Sequence, residues 1–212
     1  MIKNFIVGPL ESNCYLYGDE KSKKAVLIDP GDEGEKIFQF VRSHGWELTA
    51  ILITHGHPDH LAALPYLKKQ VTVPVYLHRE DYLFLTNFDY ALVPFLEKIS
   101  LKPEKFFQEG EEIAAGEKKL KVLFTPGHSP GGVCLLGEGI VFTGDTLFCQ
   151  SIGRTDLPGG DTQKLFNSIR TKLFILPEPT IVYPGHGESS TIGEEKKHNP
   201  FSAQIMAGDV FM

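Results

Sequence analysis

Short apolar blocks recur along the chain at strand length, each closed by a polar or turn-forming residue. They are NFIV (4–7), CYLYG (14–18), AVLID (25–29), AILIT (50–54), VPVYL (73–77), KVLFT (121–125), VCLLG (133–137), IVFTG (140–144) and TIVYP (180–184). Between them the apolar period lengthens to that of a helix. In 33–45, Ile37, Phe40, Val41 and His44 share one face; in 59–69, Leu61, Leu64 and Leu67 do, with Pro65 expected to bend or shorten the helix. In 161–174, Asp161 stands at the N-cap and Leu165, Ile169 and Leu173 form a stripe. The segment 79–100 carries Tyr82, Phe84, Phe88, Tyr90 and Phe95 and reads as core, or as cover for a pocket or subunit surface. Strands and helices interleave, the pattern of an α/β or α+β fold.

Length and composition narrow the function. A chain of 212 residues fits one domain, expected to span 1–212. The net charge of -6 argues against a nucleic-acid partner, and no apolar stretch reaches the roughly 18–20 residues needed to span a bilayer. Three dispersed cysteines, Cys14, Cys134 and Cys149, and no signal-peptide pattern suit a reducing, cytoplasmic location.

The histidines carry the chemistry. Five of eight lie in Gly- or Pro-punctuated loops after apolar strands: His55, His57 and His60 in THGHPDHL, His128 after KVLFTPG and His186 after TIVYPG. Asp29 and Asp145 hold similar places after AVLI and IVFTG. Strand ends far apart in sequence can meet at one sheet edge, so this distribution points to a single site. His-x-His sets two imidazoles on one side of extended chain. Pro58 permits a helical turn, which sends Asp59 and His60 the other way, toward a second ion. Imidazole with carboxylate suits zinc, iron or manganese rather than magnesium or calcium. His44, His78 and His198 stand alone and read as structural.

THGHPDH, TPGHSPGG, FTGDTLF and YPGHG, with LIDPG before them, resemble the successive motifs of the metallo-β-lactamase-fold hydrolases. SIGRTDLPGGD (151–161) and PGHGESSTIGEEKKHNPF (184–201) are similar to the single-domain, glyoxalase II-like branch. The resemblance implies an α+β fold: an αββα sandwich of two mixed sheets flanked by helices, with the metal site at one edge. It implies His55, His57 and His128 on metal 1, Asp59, His60 and His186 on metal 2, and Asp145 bridging. Asp59 and Asp145 are thereby the catalytic carboxylates. Asp29 would support the histidine loop, or simply shape its Pro-Gly turn. Two cations, zinc foremost, would acidify a shared water from a pKa of about 15.7 toward 7, giving a hydroxide that attacks a carbonyl.

A thioester is the expected substrate, since a thiolate leaves with little help from an acid; the resemblance implies a glutathione carrier. Arg154 would meet a substrate carboxylate, or pair with Asp156 or Asp161. Two features depart from glyoxalase II: the chain ends soon after the last histidine, without the helical glutathione-binding domain, and GHGES lacks the tyrosine that follows there. Two other activities are compatible with the motifs. One is a persulfide dioxygenase with a single iron on His55, His128 and Asp145; the other is a non-catalytic metal-binding module. Cys149 in FCQS is expected to pack or line the pocket wall rather than act as nucleophile.

Overall fold

The computed structural model describes residues 1–86 and 102–208. The first half gives strands β1 (Ile2–Val7), β2 (Ser12–Asp19), β3 (Lys24–Ile28), β4 (Glu47–Leu52), β5 (Val75–Leu77) and β6 (Lys105–Phe106). They form one six-stranded sheet in chain order, antiparallel from β1 to β3 and parallel from β3 to β6. Helices α1 (Gly34–Ser43), α2 (Leu64–Gln70) and α3 (Arg79–Thr86) belong to this half. The second half gives β7 (Glu112–Ala115), β8 (Lys118–Phe124), β9 (Val133–Gly137), β10 (Ile140–Gly144), β13 (Ile181–Pro184) and β14 (Ser190–Thr191). These make a second sheet in the order β14-β13-β10-β9-β8-β7. Strands β11 (Leu147–Phe148) and β12 (Ser151–Ile152) form a separate small hairpin, and helices α4 (Thr162–Ser168), α5 (Ile192–His198) and α6 (Ser202–Ala207) complete the half.

The period of two along the strands builds the layers. On β2 and β3, Leu16 and Leu27 face outward onto Ile37 and Val41 of α1 and Leu64 and Leu67 of α2. Their neighbours Tyr15, Tyr17, Val26 and Ile28 face inward, onto Leu120, Val122, Leu135 and Phe142 of the second sheet. The far face of that sheet packs Leu123, Val141 and Val182 against Leu165, Ile169, Leu173, Ile192 and Ile205. The result is the expected αββα order of layers. Each fully buried Leu, Ile or Phe contributes about 1.5–3 kcal/mol, so the sheets are pinned in register from both faces.

All nine apolar blocks are strands. The helix expected over 59–69 is different: Pro58–His60 is a single 3-10 turn, and α2 begins only at Leu64. Pro65 therefore starts the helix instead of bending it, because its fixed φ and missing N–H suit the first turn. Asp161 is the N-cap of α4, its side chain accepting the Lys164 N–H at 3.0 Å. The helix then widens into a π-turn over Ile169–Leu173. Of the aromatic segment 79–100, residues 87–100 lie outside the described residues. Among the described residues no helix is long and apolar enough to cross a membrane.

Candidate metal centre

Strands β3 and β4 run parallel, as do β10 and β13, and β8 shares their sense through two antiparallel steps. Their C-terminal ends therefore deliver Asp29, His55–His60, His128, Asp145 and His186 to one edge of the sandwich. The two sheets are tied there by the Asn13 N–H, which donates to the Gly185 carbonyl at 2.7 Å, and by a bridge between Ser12 and His186.

Two donor clusters result. The ligand atoms of His55, His57 and His128 lie within 4.8 Å of one another, as do those of Asp59, His60 and His186. In the first, His57 Nδ1 and His128 Nε2 are 2.8 Å apart. In the second, His60 Nε2 stands 3.3 Å from His186 Nε2 and 3.4 Å from Asp59 Oδ2, and His186 Nε2 stands 3.2 Å from the same oxygen. Asp145 lies between the clusters. Its carboxylate is 3.9 Å from His55 and 3.6 Å from His128 on one side, 3.4 Å from His60 and 3.6 Å from His186 on the other.

The outer hydrogen bonds fix which nitrogen faces the centre. His128 Nδ1 donates to the Arg154 carbonyl at 2.8 Å, and His186 Nδ1 to the Leu10 carbonyl at 3.0 Å. A carbonyl can only accept, so both rings carry a proton on Nδ1 and turn Nε2, the atom that would bind an ion, inward. His60 Nδ1 faces Asp29 Oδ2 at 3.2 Å. Thr54 Oγ1 gives its proton to Asp29 Oδ2 at 2.6 Å, so at 3.1 Å it receives one from His55 Nδ1. His55 Nε2 is thus a lone pair, buried and without a hydrogen bond among the described residues; Asp145 Oδ1 is equally buried and accepts none. Converging lone pairs at such distances repel unless a cation lies between them. The donor set fits divalent ions.

Charge supports that fit. Burial opposes a proton on His60, but Asp59, Asp145 and Asp29 outweigh it and push its pKa well above the ordinary value. Burial would likewise raise Asp59, yet His60 and the contacts from His186 hold its carboxyl well below the usual range. His57 is pushed down to about 3 by burial and by His128 beside it, and His55 falls too, by burial and the other histidines. Burial thus keeps His55 and His57 of the first cluster neutral, while the second sets a carboxylate against histidines whose affinity for positive charge it raises.

Asp29 meets both roles expected of it. It sits at φ 50° before Pro30, and its carboxylate accepts the Thr54 N–H at 2.7 Å, the Thr54 hydroxyl and the His60 ring. Its ligand atom also falls within reach of His55 and His60. Both of its oxygens accept hydrogen bonds here, which suits a support for the His55 and His60 rings. Ser12 plays a similar part for Asp59, donating to Oδ2 at 2.9 Å.

Of the other residues, Arg154 takes one of its expected partners and Cys149 does not pack. The Arg154 guanidinium makes a two-pronged contact with Asp156, 2.7 Å on each prong, while its backbone carbonyl orients His128. Cys149 is exposed, so it does not pack as expected. Partial burial and the carboxylates of Glu195, Glu188 and Glu194 push its thiol up, the opposite of an activated nucleophile. The three isolated histidines are structural: His44 Nδ1 meets the Phe40 carbonyl, His78 Nδ1 accepts the Glu80 N–H, and His198 pairs with Glu194 at 3.6 Å. One residue escaped the sequence reading. Asp81, fully buried on the first turn of α3, accepts the Gly56 N–H, the Ser129 hydroxyl and the Gly131 N–H.

Comparison with known proteins agrees with this geometry. The chain is 38% identical over 204 residues to the hydroxyacylglutathione hydrolase GloC of Haemophilus influenzae, covering 92% of this chain and 94% of that protein. The crystal structure of BLEG-1, titled a B3 metallo-β-lactamase, superposes with a TM-score of 0.88 at 38% identity, covering 95% of this chain and 99% of that one. The structure of TTHA1623 in a di-iron-bound form gives 0.84 at 40% identity, covering 94% and 99%. Residues 7–186, which include every strand end at the centre, match the family model described as the metallo-beta-lactamase superfamily, and the chain belongs to that superfamily.

Proposed function

We propose that this protein is a binuclear thioester hydrolase acting on an acylglutathione such as S-lactoylglutathione. The observation that carries the reading is one carboxylate, Asp145, within 4 Å of histidines from two separate donor clusters. His55, His57 and His128 would hold one divalent ion, Asp59, His60 and His186 the other, and Asp145 both. When bound, the two ions supply Lewis acidity and a water acidified toward neutrality. Zinc is the ion proposed; iron and manganese suit the same donors, and a relative at 40% identity has been crystallised with two irons.

The residues set the rest. Asp59 is held ionised by His60 and His186, so it accepts rather than donates. The Thr54–Asp29–His60 network locks the ligand rings in place before substrate arrives, which removes reorganisation from the chemical step. A thiolate departs without a general acid, so a site made of acceptors and neutral imidazoles suits a thioester better than an amide. Arg154 is proposed to contact a substrate carboxylate. Its present partner Asp156 is exposed, so exchanging this surface ion pair costs little.

The test is turnover by purified protein on S-lactoylglutathione, a small uncharged thioester, a β-lactam and glutathione persulfide. Thioester hydrolysis abolished by chelation and restored by zinc, iron or manganese supports the proposal. Sulfite from the persulfide, with one iron per chain and no thioester turnover, favours the dioxygenase; β-lactam turnover alone would assign a lactamase. Tight metal with no turnover on any of the four would leave a binding module.

A further inference from the structure

A buried carboxylate is costly unless its oxygens are satisfied. Asp81 is satisfied in an informative way. Oδ2 accepts the Gly56 N–H at 2.7 Å and the Ser129 hydroxyl at 2.7 Å, and Oδ1 accepts the Gly131 N–H. Gly56 lies between His55 and His57; Ser129 follows His128 directly. One side chain thus ties together the two loops that supply the imidazoles of the first cluster, at positions flanked by His55, His57 and His128; the first of these loops runs on to Asp59 and His60.

The loops have been shaped to reach it. A Cβ on Gly56 would lie 2.8 Å from the Asp81 carbonyl oxygen. A Cβ on Gly131 would lie 2.8 Å from the Asp81 nitrogen and 2.9 Å from Oδ1. Neither close approach tolerates a side chain. Gly56 of THGHPDH and the first glycine of SPGG, Gly131, are therefore accounted for by the packing of both loops on α3, and α3 itself is anchored by Leu85 in the outer core.

We infer that Asp81 is the positioning residue of the first metal site, setting the separation of His57 and His128 by holding their loops from behind. The inference rests on the two-site reading of the centre. Asp81→Asn replaces an acceptor by a donor facing at least one of three donors, so the loops lose their common anchor. Ser129→Ala removes a single hydroxyl and leaves both backbone contacts.

The experiment is a competition titration of metal-free protein with zinc against a chromophoric chelator, paired with thermal melts of the metal-free forms. Asp81→Asn is expected to weaken one ion by about 10–100-fold, the scale of losing a residue that orients metal ligands, and to leave the other within about threefold. In a His186→Ala background, where only the first site is complete, the same substitution should weaken the remaining ion by the same factor. Ser129→Ala should cost about threefold to tenfold, and nothing further once Asp81 is changed. Two results overturn the inference: wild-type affinities in Asp81→Asn, or equal weakening of both ions in step with a lower melting temperature. If Asp81→Asn does not fold, Ser129→Ala carries the test, and unchanged affinity for both ions there overturns it. A wild-type protein that takes up one ion refutes the two-site reading instead; the affinity of that single ion in Asp81→Asn still judges Asp81.

Discussion

The two donor clusters differ in burial, in ligand type and in what stands behind their loops. His55, His57 and His128 are buried, burial keeps the first two neutral, and their loops are tied together through backbone N–H groups by Asp81. Asp59, His60 and His186 include a carboxylate and are more open, with 29% of the His186 side chain and 15% of Asp59 exposed, although His60 is fully buried. They are fixed through their side chains, by Asp29, Ser12 and the Leu10 carbonyl. A buried site gains specificity from geometry, since a misplaced imidazole there has no water to replace it. A more open site with a carboxylate leaves room for substrate. On the proposed two-ion reading, the first cluster would hold its ion rigidly and the second would meet the substrate.

The largest effect should come from the residue both clusters share. Asp145→Ala is expected to weaken both ions and to lower thioester turnover by at least about a hundredfold. Two retained ions with near-normal turnover would show that the clusters do not depend on a common carboxylate. Next, His57→Ala should empty the first site and His186→Ala the second, read by metal content after gel filtration. Loss of both ions in either variant would mean one merged site instead of two.

A smaller change sharpens the contrast between backbone and side-chain support. Asp29→Asn keeps the size of the group but breaks the contacts from Thr54 and His60, so the second ion should weaken by about 10–100-fold, the mirror of Asp81→Asn. The smallest effect is expected at the rim. Arg154→Ala should raise KM for S-lactoylglutathione by roughly threefold to a hundredfold, the range of one charge-assisted contact. Metal content and turnover of a thioester without carboxylates should stay unchanged. Equal losses on both substrates would show that Arg154 serves only to hold its loop through Asp156.

Most of the layered fold was legible because its strands are continuous apolar runs closed by turn residues, as in AVLID and IVFTG. Strands β6, β11, β12 and β14 were not, since two residues carry no period and exist only by pairing with neighbours. The start of α2 was missed because Pro65 was weighed as a breaker, whereas its position in the first turn makes it a starter. The centre was legible because five histidines and two aspartates follow strand ends, where the chain must turn into a loop. Asp81 was not, because an acid in the first turn of a helix after HRE looks like an ordinary partner of the helix dipole. Its partners, Gly56 and Gly131, are 25 and 50 residues distant and contribute only backbone N–H groups. The orienting carbonyls of Leu10 and Arg154 left no trace in side-chain identity for the same reason.

The most direct measurement is metal content per chain on protein purified without added metal and then saturated with zinc, with turnover followed in parallel. Two ions per chain, with thioester hydrolysis rising as the second is bound, is the expected result. One ion at saturation with full turnover would contradict a binuclear hydrolase whose two clusters share Asp145.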